Sequence, residues 1–257
     1  MEMLKWIIKR LRQTLLDKTY SPKQILAGKY QIEKVLGDGS YGIVYLCTSL
    51  LSNKRCVVKQ LRKRKRNENE SMYLQETTVL KMLNHPAIPA FLETFTDNNT
   101  LFFSMEYMEG DNIEDILFSK KETFTELEAL IILRDLLEVI EYMHSKGIAH
   151  GDIRIPNIMM NHTRLYLIDF GLTQFLRNEE NKSIVQDDFY DLGDFLLFML
   201  YSTYSAKPKK NQPWTEELTL NKRTISILKR LLQVEQPYES AKEILADVNQ
   251  AIHLLSH

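Results

Sequence analysis

The chain has 257 residues, of which 44% are hydrophobic and 26% are charged. This balance indicates a folded globular protein and excludes an intrinsically disordered chain. The formal net charge of −1 gives no overall attraction to nucleic acid, so no nucleic-acid partner is expected. The two cysteines, Cys47 and Cys56, lie in apolar runs and are interpreted as reduced core residues of a cytoplasmic protein.

Residues 1–27 are predicted to contain a basic amphipathic helix. Apolar residues recur there at helical spacing, and the basic residues lie mostly on the other face. Two interpretations stay open: the helix lies at the periphery of an anionic membrane, or it packs against a partner or the rest of this chain. Its interspersed charges argue against a secretion signal, and no apolar run approaches the ~20 residues that a transmembrane helix needs.

Residues 28–108 are predicted to form a first lobe that is rich in strands. Apolar runs between Tyr30 and Lys59 predict three antiparallel strands, with a glycine-rich turn at 37–42 joining the first two. The charge run RKRKRNENE at 62–70 is interpreted as a solvated loop, because acidic residues follow the basic ones and no aromatic residues are interleaved. A helix over 71–83 and two more strand-like runs complete this lobe.

Residues 109–257 are predicted to form a second, mainly helical lobe. Four segments have the apolar spacing of amphipathic helices, and Gly147 follows the first of them, as is typical of a helix C-terminus. They are ELEALIILRDLLEVIEYMHSK, DDFYDLGDFLLFMLY, RTISILKRLLQV and ESAKEILADVNQAIHLL. The sequence therefore predicts an α+β fold with two lobes, a small antiparallel sheet with one helix followed by a helical part.

The glycine-rich turn and the strand after it indicate a site for phosphates. Gly37, Gly39 and Gly42 leave room for the backbone to approach a phosphate, whose oxygens accept from backbone N–H groups. The turn joins two strands, which argues against a dinucleotide-binding loop that opens a helix. Lys59 lies in an apolar strand, where its charge must be paired, and Glu76 on the following helix is the predicted partner.

The runs HGDIRIPNIM at 150–159 and YLIDFG at 166–171 carry the remaining chemistry. Asn157 and Asp169 offer the hard oxygen atoms that Mg²⁺ prefers. Asp152 can accept a hydrogen bond from an incoming hydroxyl, and Arg154 can neutralise charge on a transferring phosphate. Phosphoryl transfer depends on such positioning and charge compensation more than on covalent chemistry.

Together these motifs resemble the protein kinase superfamily from about Tyr30 onward, and in particular the short bacterial serine/threonine kinases of eukaryotic type. LGDGSYGIV, VVK, the helix with Glu76, MEYMEG, HGD, DFG and the D-x-x-x-x-G motif at 188–193 occur in family order. The resemblance implies ATP- and Mg²⁺-dependent transfer of the γ-phosphoryl group to serine or threonine hydroxyls of a protein substrate.

The resemblance also implies a role for each site residue. Asp152 is the expected catalytic base, Arg154 replaces the usual lysine, and Asn157 and Asp169 hold Mg²⁺. Lys59 binds phosphates and pairs with Glu76. Nucleotide binding is assigned to Leu36, Gly37, Asp38, Gly39, Ser40, Tyr41, Gly42, Val44, Lys59, Glu106 and Met108.

Two departures from the family pattern keep alternatives open. Gly151 stands where many kinases have the arginine that receives an activation-loop phosphate, so alanine at Thr173 and Ser183 is expected to leave activity intact. Only 19 residues separate Asp169 from Asp188 (188 − 169), and the APE motif and its partner arginine are absent. The shortened substrate platform leaves two alternatives: an atypical or small-molecule kinase, such as a RIO-like or aminoglycoside/choline-type phosphotransferase, and a pseudokinase scaffold.

Overall fold

The computed structural model describes residues 19–39, 42–62, 66–176, 182–205 and 212–256, without the side chains of 66–69. The basic amphipathic helix was predicted within residues 1–27, and residues 1–18 of this segment lie outside the described residues. The chain divides into two compact units. The first comprises the residues up to Asn84 together with Pro89–Met108, and the second comprises His85–Ile88 and the residues from Glu109 onward.

The first unit is built on a six-stranded antiparallel sheet in the order β1-β2-β3-β4-β6-β5. The strands are β1 (Ile25–Leu26), β2 (Tyr30–Asp38), β3 (Gly42–Ser49), β4 (Arg55–Leu61), β5 (Phe91–Asp97) and β6 (Thr100–Glu106). Most residues of β3, β4 and β6 are buried, on both sides of the alternating strand pattern, as is typical of strands that are covered on both faces. The three predicted strands are confirmed, and the two later runs add β5 and β6 to the same sheet.

One face of this sheet forms a buried core whose polar atoms are paired. Tyr45 is fully buried, and its hydroxyl donates to Gln60 Oε1 at 2.7 Å and accepts from the backbone N–H of Tyr20. Cys47 lies directly opposite Cys56 across β3 and β4, and both thiols are free and buried. Burial raises the pKa of Cys47 to about 12 and that of Cys56 to about 11, so both thiols stay protonated and unreactive.

The helix of the first unit, α1 (Arg66–Met82), begins five residues before the predicted start at 71. The second half of the charge run is therefore helical, and its interpretation as a solvated loop is wrong for residues 66–70.

The second unit is mainly helical. Its α-helices are α2 (Glu126–Ser145), α3 (Lys182–Tyr201), α4 (Trp214–Glu217), α5 (Lys222–Leu231) and α6 (Ala241–Leu255). A capping box formed by Thr125 and Glu128 starts α2, and Gly147 follows its end with φ of +72°. The predicted α+β fold, with an antiparallel sheet first and helices second, is confirmed.

Short strands in the second unit position the candidate site. β7 (Asp111–Asn112), β9 (Ile158–Asn161) and β10 (Arg164–Leu167) form one small sheet, and β8 (Ile148–Ala149) pairs with β11 (Gln174–Phe175). The loop from β8 to β9 carries the HGD motif, and the loop from β10 to β11 carries the DFG motif. Within the described part of the chain, none of the helices is long and apolar enough to cross a membrane.

Candidate active site

The glycine-rich turn connects β2 and β3 in a hairpin, closed by a hydrogen bond from the Gly39 N–H to the Gly42 carbonyl at 3.0 Å. A Cβ at Gly42 would lie 2.7 Å from the Gln60 carbonyl oxygen, so only glycine fits there. Gly37 has no atom within 4 Å of such a Cβ, so its own surroundings do not require glycine. Leu36 is exposed at the end of β2. Ser40 and Tyr41 lie outside the described residues.

Arg62 holds this hairpin, a role that the sequence analysis missed. Its Nε donates to the Gly39 carbonyl at 2.8 Å, and its guanidinium pairs with the Asp38 carboxylate. The Arg62 side chain is only 10% exposed although it begins the charge run, so the interpretation as a solvated loop is also wrong here. Its position three residues after Lys59, where β4 ends, is the one sequence signal that favours a place beside the turn.

Lys59 and Glu76 come together as predicted. Lys59 lies opposite Val44 in the middle of the sheet, and its Nζ is 2.7 Å and 2.8 Å from the two carboxylate oxygens of Glu76. Their side chains are only 14% and 5% exposed. A buried ion pair of this kind holds both charges in place, because removing one partner strands the other.

The end of the first unit supplies the two predicted hinge residues. Glu106 closes β6, and its backbone N–H donates to the Ala90 carbonyl at 2.8 Å, so that N–H is already occupied. Met108 is the last residue of this unit and is buried.

In the second unit, Asp152 lies between Arg154 and Asn157. Arg154 Nε is 2.9 Å from Asp152 Oδ1, and Asn157 Nδ2 donates to Asp152 Oδ2 at 2.7 Å and to its carbonyl oxygen at 2.9 Å. Asn157 is buried, whereas the Arg154 side chain is exposed. Because both Asn157 contacts use its nitrogen, the amide oxygen is the atom that it can offer to a cation.

Asp169 follows β10 at a sharp backbone turn with φ of +61°. Its carboxylate is exposed and accepts from the Gly171 N–H at 3.3 Å.

The ring of Phe170 packs edge-on against the ring of His150, and the two ring centroids are 5.3 Å apart. Complete burial lowers the pKa of His150, although the carboxylates of Asp188, Asp169 and Asp152 act in the opposite direction. Both candidate carboxylates, Asp152 and Asp169, therefore act on the same buried ring.

Asp188 anchors the HGD loop from the middle of α3. Its fully buried carboxylate accepts from the backbone N–H groups of His150 at 2.9 Å and Gly151 at 2.7 Å, and lies 2.8 Å from His144 Nε2. These bonds satisfy a buried charge with donors from two segments remote in sequence. Of the site residues named from sequence, the structure thus brings together Lys59 with Glu76, and Asp152 with Arg154 and Asn157.

A protein kinase domain model matches residues 30–207, which is more than half of the chain. The chain belongs to the protein kinase family. This family transfers phosphoryl groups from ATP with the help of Mg²⁺. The match confirms the protein-kinase-like α+β fold that the sequence predicted.

Known kinases resemble this one to different extents. It is 47% identical over 250 residues to the probable serine/threonine-protein kinase YbdM of Bacillus subtilis, covering 95% of this chain and 98% of that protein. It is 26% identical over 265 residues to serine/threonine-protein kinase B of Synechocystis sp., covering 86% of this chain and 46% of that protein. It is 32% identical over 154 residues to serine/threonine-protein kinase cds1 of Schizosaccharomyces pombe, covering 57% of this chain and 33% of that protein. The matches favour the predicted protein kinase over a small-molecule kinase.

Thr173, one of the two positions considered for phosphorylation, lies in the segment that follows DFG. Its side chain is completely buried, and its hydroxyl donates to the Phe170 carbonyl at 2.9 Å. A phosphate could not be accommodated there without opening the turn, so Thr173 is not a phosphorylation site in this conformation. Of the two residues named from sequence, only Ser183, exposed at the start of α3, can test a need for phosphorylation.

The segment QPYESAKEIL, where the family's partner arginine was expected, places Tyr238 in the core of the second unit. Tyr238 is 1% exposed, its hydroxyl donates to Asp247 at 2.8 Å, and its ring packs 3.7 Å from the Arg230 guanidinium. Its carbonyl accepts from Gln186 in α3 at 2.6 Å. An aromatic residue with a hydrogen-bonded hydroxyl therefore fills this region and connects it to α3.

Proposed function

We propose that this kinase transfers the γ-phosphoryl group of ATP to serine or threonine hydroxyls of a protein, with Asp152 as the catalytic base. The observation that carries this proposal is the arrangement of the Asp152 carboxylate between Arg154 and Asn157. These two residues hold the carboxylate in one orientation, and an incoming hydroxyl requires such a fixed acceptor.

Asn157 and Asp169 fit a Mg²⁺ site. Mg²⁺ is usually held by one or two protein oxygens together with phosphate oxygens and water, and does not need a complete protein cage. We assign Asn157 through its amide oxygen and Asp169 through its carboxylate, and the bound ion would neutralise phosphate charge.

Lys59 is the proposed ligand of the nucleotide phosphates, oriented by Glu76. The proposed nucleotide site further uses Leu36, Gly37, Asp38, Gly39, Ser40, Tyr41, Gly42, Val44, Glu106 and Met108. The Glu106 N–H is occupied by Ala90, so its carbonyl is the backbone atom we assign to the base. We propose two roles for Arg154. It pairs with Asp152, and because its guanidinium is exposed it can also bind a phosphate when substrate binds.

We further propose three segments: a basic helix within 1–27, a first lobe at 28–108 and a second lobe at 109–257. The basic helix would contact a partner or the periphery of an anionic membrane, and the protein would act in the cytoplasm. Binding of a peptide of residues 1–18 to anionic vesicles, against neutral vesicles, tests the membrane contact, and equal binding to both would exclude an electrostatic one.

The hydroxyl class is tested by phosphoamino-acid analysis after incubation with labelled ATP, Mg²⁺ and generic protein substrates. Label on phosphoserine or phosphothreonine is expected. Label on phosphotyrosine, or on a small molecule alone, would overturn the proposed substrate class. Asp169→Asn should raise the Mg²⁺ concentration needed for half-maximal activity, whereas Asp187→Asn, at an exposed position of α3, should not.

A further inference from the structure

The peptide groups on either side of Asp152 are all held by side chains. The N–H groups of His150 and Gly151 are bound by Asp188, and the Asp152 N–H donates to His150 Nδ1 at 3.3 Å. The next N–H along the chain, that of Ile153, donates to the carboxylate of Asp191 at 3.1 Å. Four consecutive N–H groups in this loop therefore have partners, two of them on Asp188 alone.

Asp191 lies one helical turn after Asp188 in α3, so both carboxylates project from the same face of that helix. Asp191 is partly buried, and the negative charges of Asp188 and Asp152 act on its carboxyl group. Burial of a carboxylate beside other negative charges is unfavourable, so a donor in the loop must compensate for it. The Ile153 N–H is the donor found there.

The bond to Asp191 bears directly on the orientation of Asp152. The Ile153 N–H and the Asp152 carbonyl belong to one planar peptide group. Asn157 Nδ2 binds its carbonyl end at 2.9 Å, and Asp191 binds its N–H end at 3.1 Å. With both ends held, this peptide cannot rotate, and the direction in which the Asp152 side chain leaves the backbone is set.

We infer that Asp191 is a positioning residue for phosphoryl transfer, which acts by holding the peptide group that follows Asp152. The inference rests on the proposed function, since it takes Asp152 as the catalytic base. Asp191 acts through the backbone N–H of Ile153, so its loss should lower turnover and leave ATP binding unchanged.

Three variants of the full chain test this role. Asp191→Ala removes the acceptor, Asp191→Asn keeps an oxygen that can accept from Ile153, and Asp187→Ala is the matched control at an exposed position of the same helix. Asp191→Ala should lower kcat by roughly 10- to 100-fold, because small misplacements of a catalytic group have effects of this order. Its KM for ATP should stay within about twofold of wild type, and Asp191→Asn should recover most of kcat.

Hydrogen exchange at the Ile153 amide reports on the bond itself. Exchange at that amide should be faster in Asp191→Ala than in wild type or Asp187→Ala, at a temperature where all three are folded. The measurement stays decisive if Asp191→Ala is less stable than wild type. Loss of the hydrogen bond speeds exchange at the Ile153 amide alone, whereas a general loss of stability speeds exchange at amides throughout the unit.

Three results would overturn the inference: wild-type kcat in folded Asp191→Ala, equal losses in Asp191→Ala and Asp191→Asn, or unchanged exchange at Ile153. Asp152→Asn, assayed beside them, separates this failure from that of the proposed function. If Asp152→Asn keeps its activity, Asp152 is not the base. If Asp152→Asn is inactive and Asp191→Ala is not, only the role of Asp191 is wrong.

Discussion

The α-carbon of Gly151 packs against the carbonyl oxygen of Leu172, so closely that a Cβ on Gly151 would lie 2.7 Å from that oxygen. Gly151 also has φ of +73°, a conformation that costs other residues about 1–2 kcal/mol. Glycine at this position is thus required by the contact between the HGD loop and the segment after DFG. The absence of an arginine here has a structural reason as well as the regulatory consequence inferred from sequence.

We predict that Gly151→Ala and Gly151→Arg both lower stability and activity. Strain at positive φ and the displacement of Leu172 together should reduce the free energy of unfolding by about 2–4 kcal/mol. Urea denaturation measures this, and Gly37→Ala, whose Cβ meets nothing within 4 Å, is the control for stability. An arginine at 151 that leaves stability unchanged would contradict the packing argument.

Removal of Glu76 should be strongly destabilising. Glu76→Ala removes the carboxylate that pairs with the largely buried Lys59 ammonium, and breaking a buried ion pair in this way costs about 3–5 kcal/mol. In contrast, Glu235→Ala breaks the exposed pair with Lys229 (3.0 Å) and should cost at most about 1 kcal/mol. Chemical denaturation of both variants checks the difference, and equal effects would show that burial of the Lys59–Glu76 pair is unimportant.

Arg62 should influence ATP binding through Asp38. In Arg62→Ala, the Asp38 carboxylate keeps its charge beside the proposed phosphate loop and loses the guanidinium that pairs with it. We expect KM for ATP to rise about tenfold, equivalent to about 1.4 kcal/mol, and Arg62→Ala/Asp38→Asn to recover most of that loss. A double-mutant cycle on KM measures the coupling between the two residues. If the double variant binds ATP no better than Arg62→Ala, charge neutralisation is not the role of Arg62.

The charged carboxylate of Asp191 should reduce the free energy of unfolding at neutral pH. Burial, aided by the charges of Asp188, Asp152 and Asp194, raises the pKa of Asp191 from 3.8 to about 6, although the Ile153 N–H acts in the opposite direction. A carboxyl whose pKa is raised by folding stabilises the fold while it is protonated, below pH 4, and that contribution is lost as pH rises through 6. Asp191→Asn should therefore be more stable than wild type at pH 7, by about 1–2 kcal/mol once solvent screening of a partly exposed carboxylate is included.

The pH dependence of stability distinguishes an effect of the Asp191 charge from a general effect of substitution in α3. The gain in Asp191→Asn should shrink toward zero below pH 4, where wild-type Asp191 is itself uncharged, and Asp187→Asn should show no such trend. Lower stability of Asp191→Asn at pH 7 would contradict the raised pKa.

Much of the fold and part of the site could be predicted because they depend on local pattern. The alternation of apolar residues indicated β2, β3 and β4, and the helical spacing indicated α2. The Lys59–Glu76 pair could be inferred because a charge in an apolar strand needs a partner nearby. By contrast, α1 begins at Arg66 and α3 at Lys182, before any apolar residue reveals the helical period.

Other features depend on contacts between remote residues, which no local pattern encodes. Arg62 reaches Asp38 across 24 positions, and Asp191 reaches Ile153 across 38. Read along the chain, Arg62 is one basic residue in a run, and Asp191 is one of several acidic residues in α3. Likewise, the close approach of Leu172 to Gly151 follows from the pairing of β8 with β11 and not from the HGD motif itself.

The role of Asp152 as the catalytic base of this protein kinase is the central prediction. It is tested most directly by transfer of label from ATP with Mg²⁺, for wild type beside Asp152→Asn, with and without a generic protein substrate. We predict labelled protein with wild type, and a rate roughly 10²- to 10⁴-fold lower with Asp152→Asn, as expected on loss of a general base. Protein labelling by Asp152→Asn at the wild-type rate, or ATP hydrolysis without labelled protein, would contradict the account.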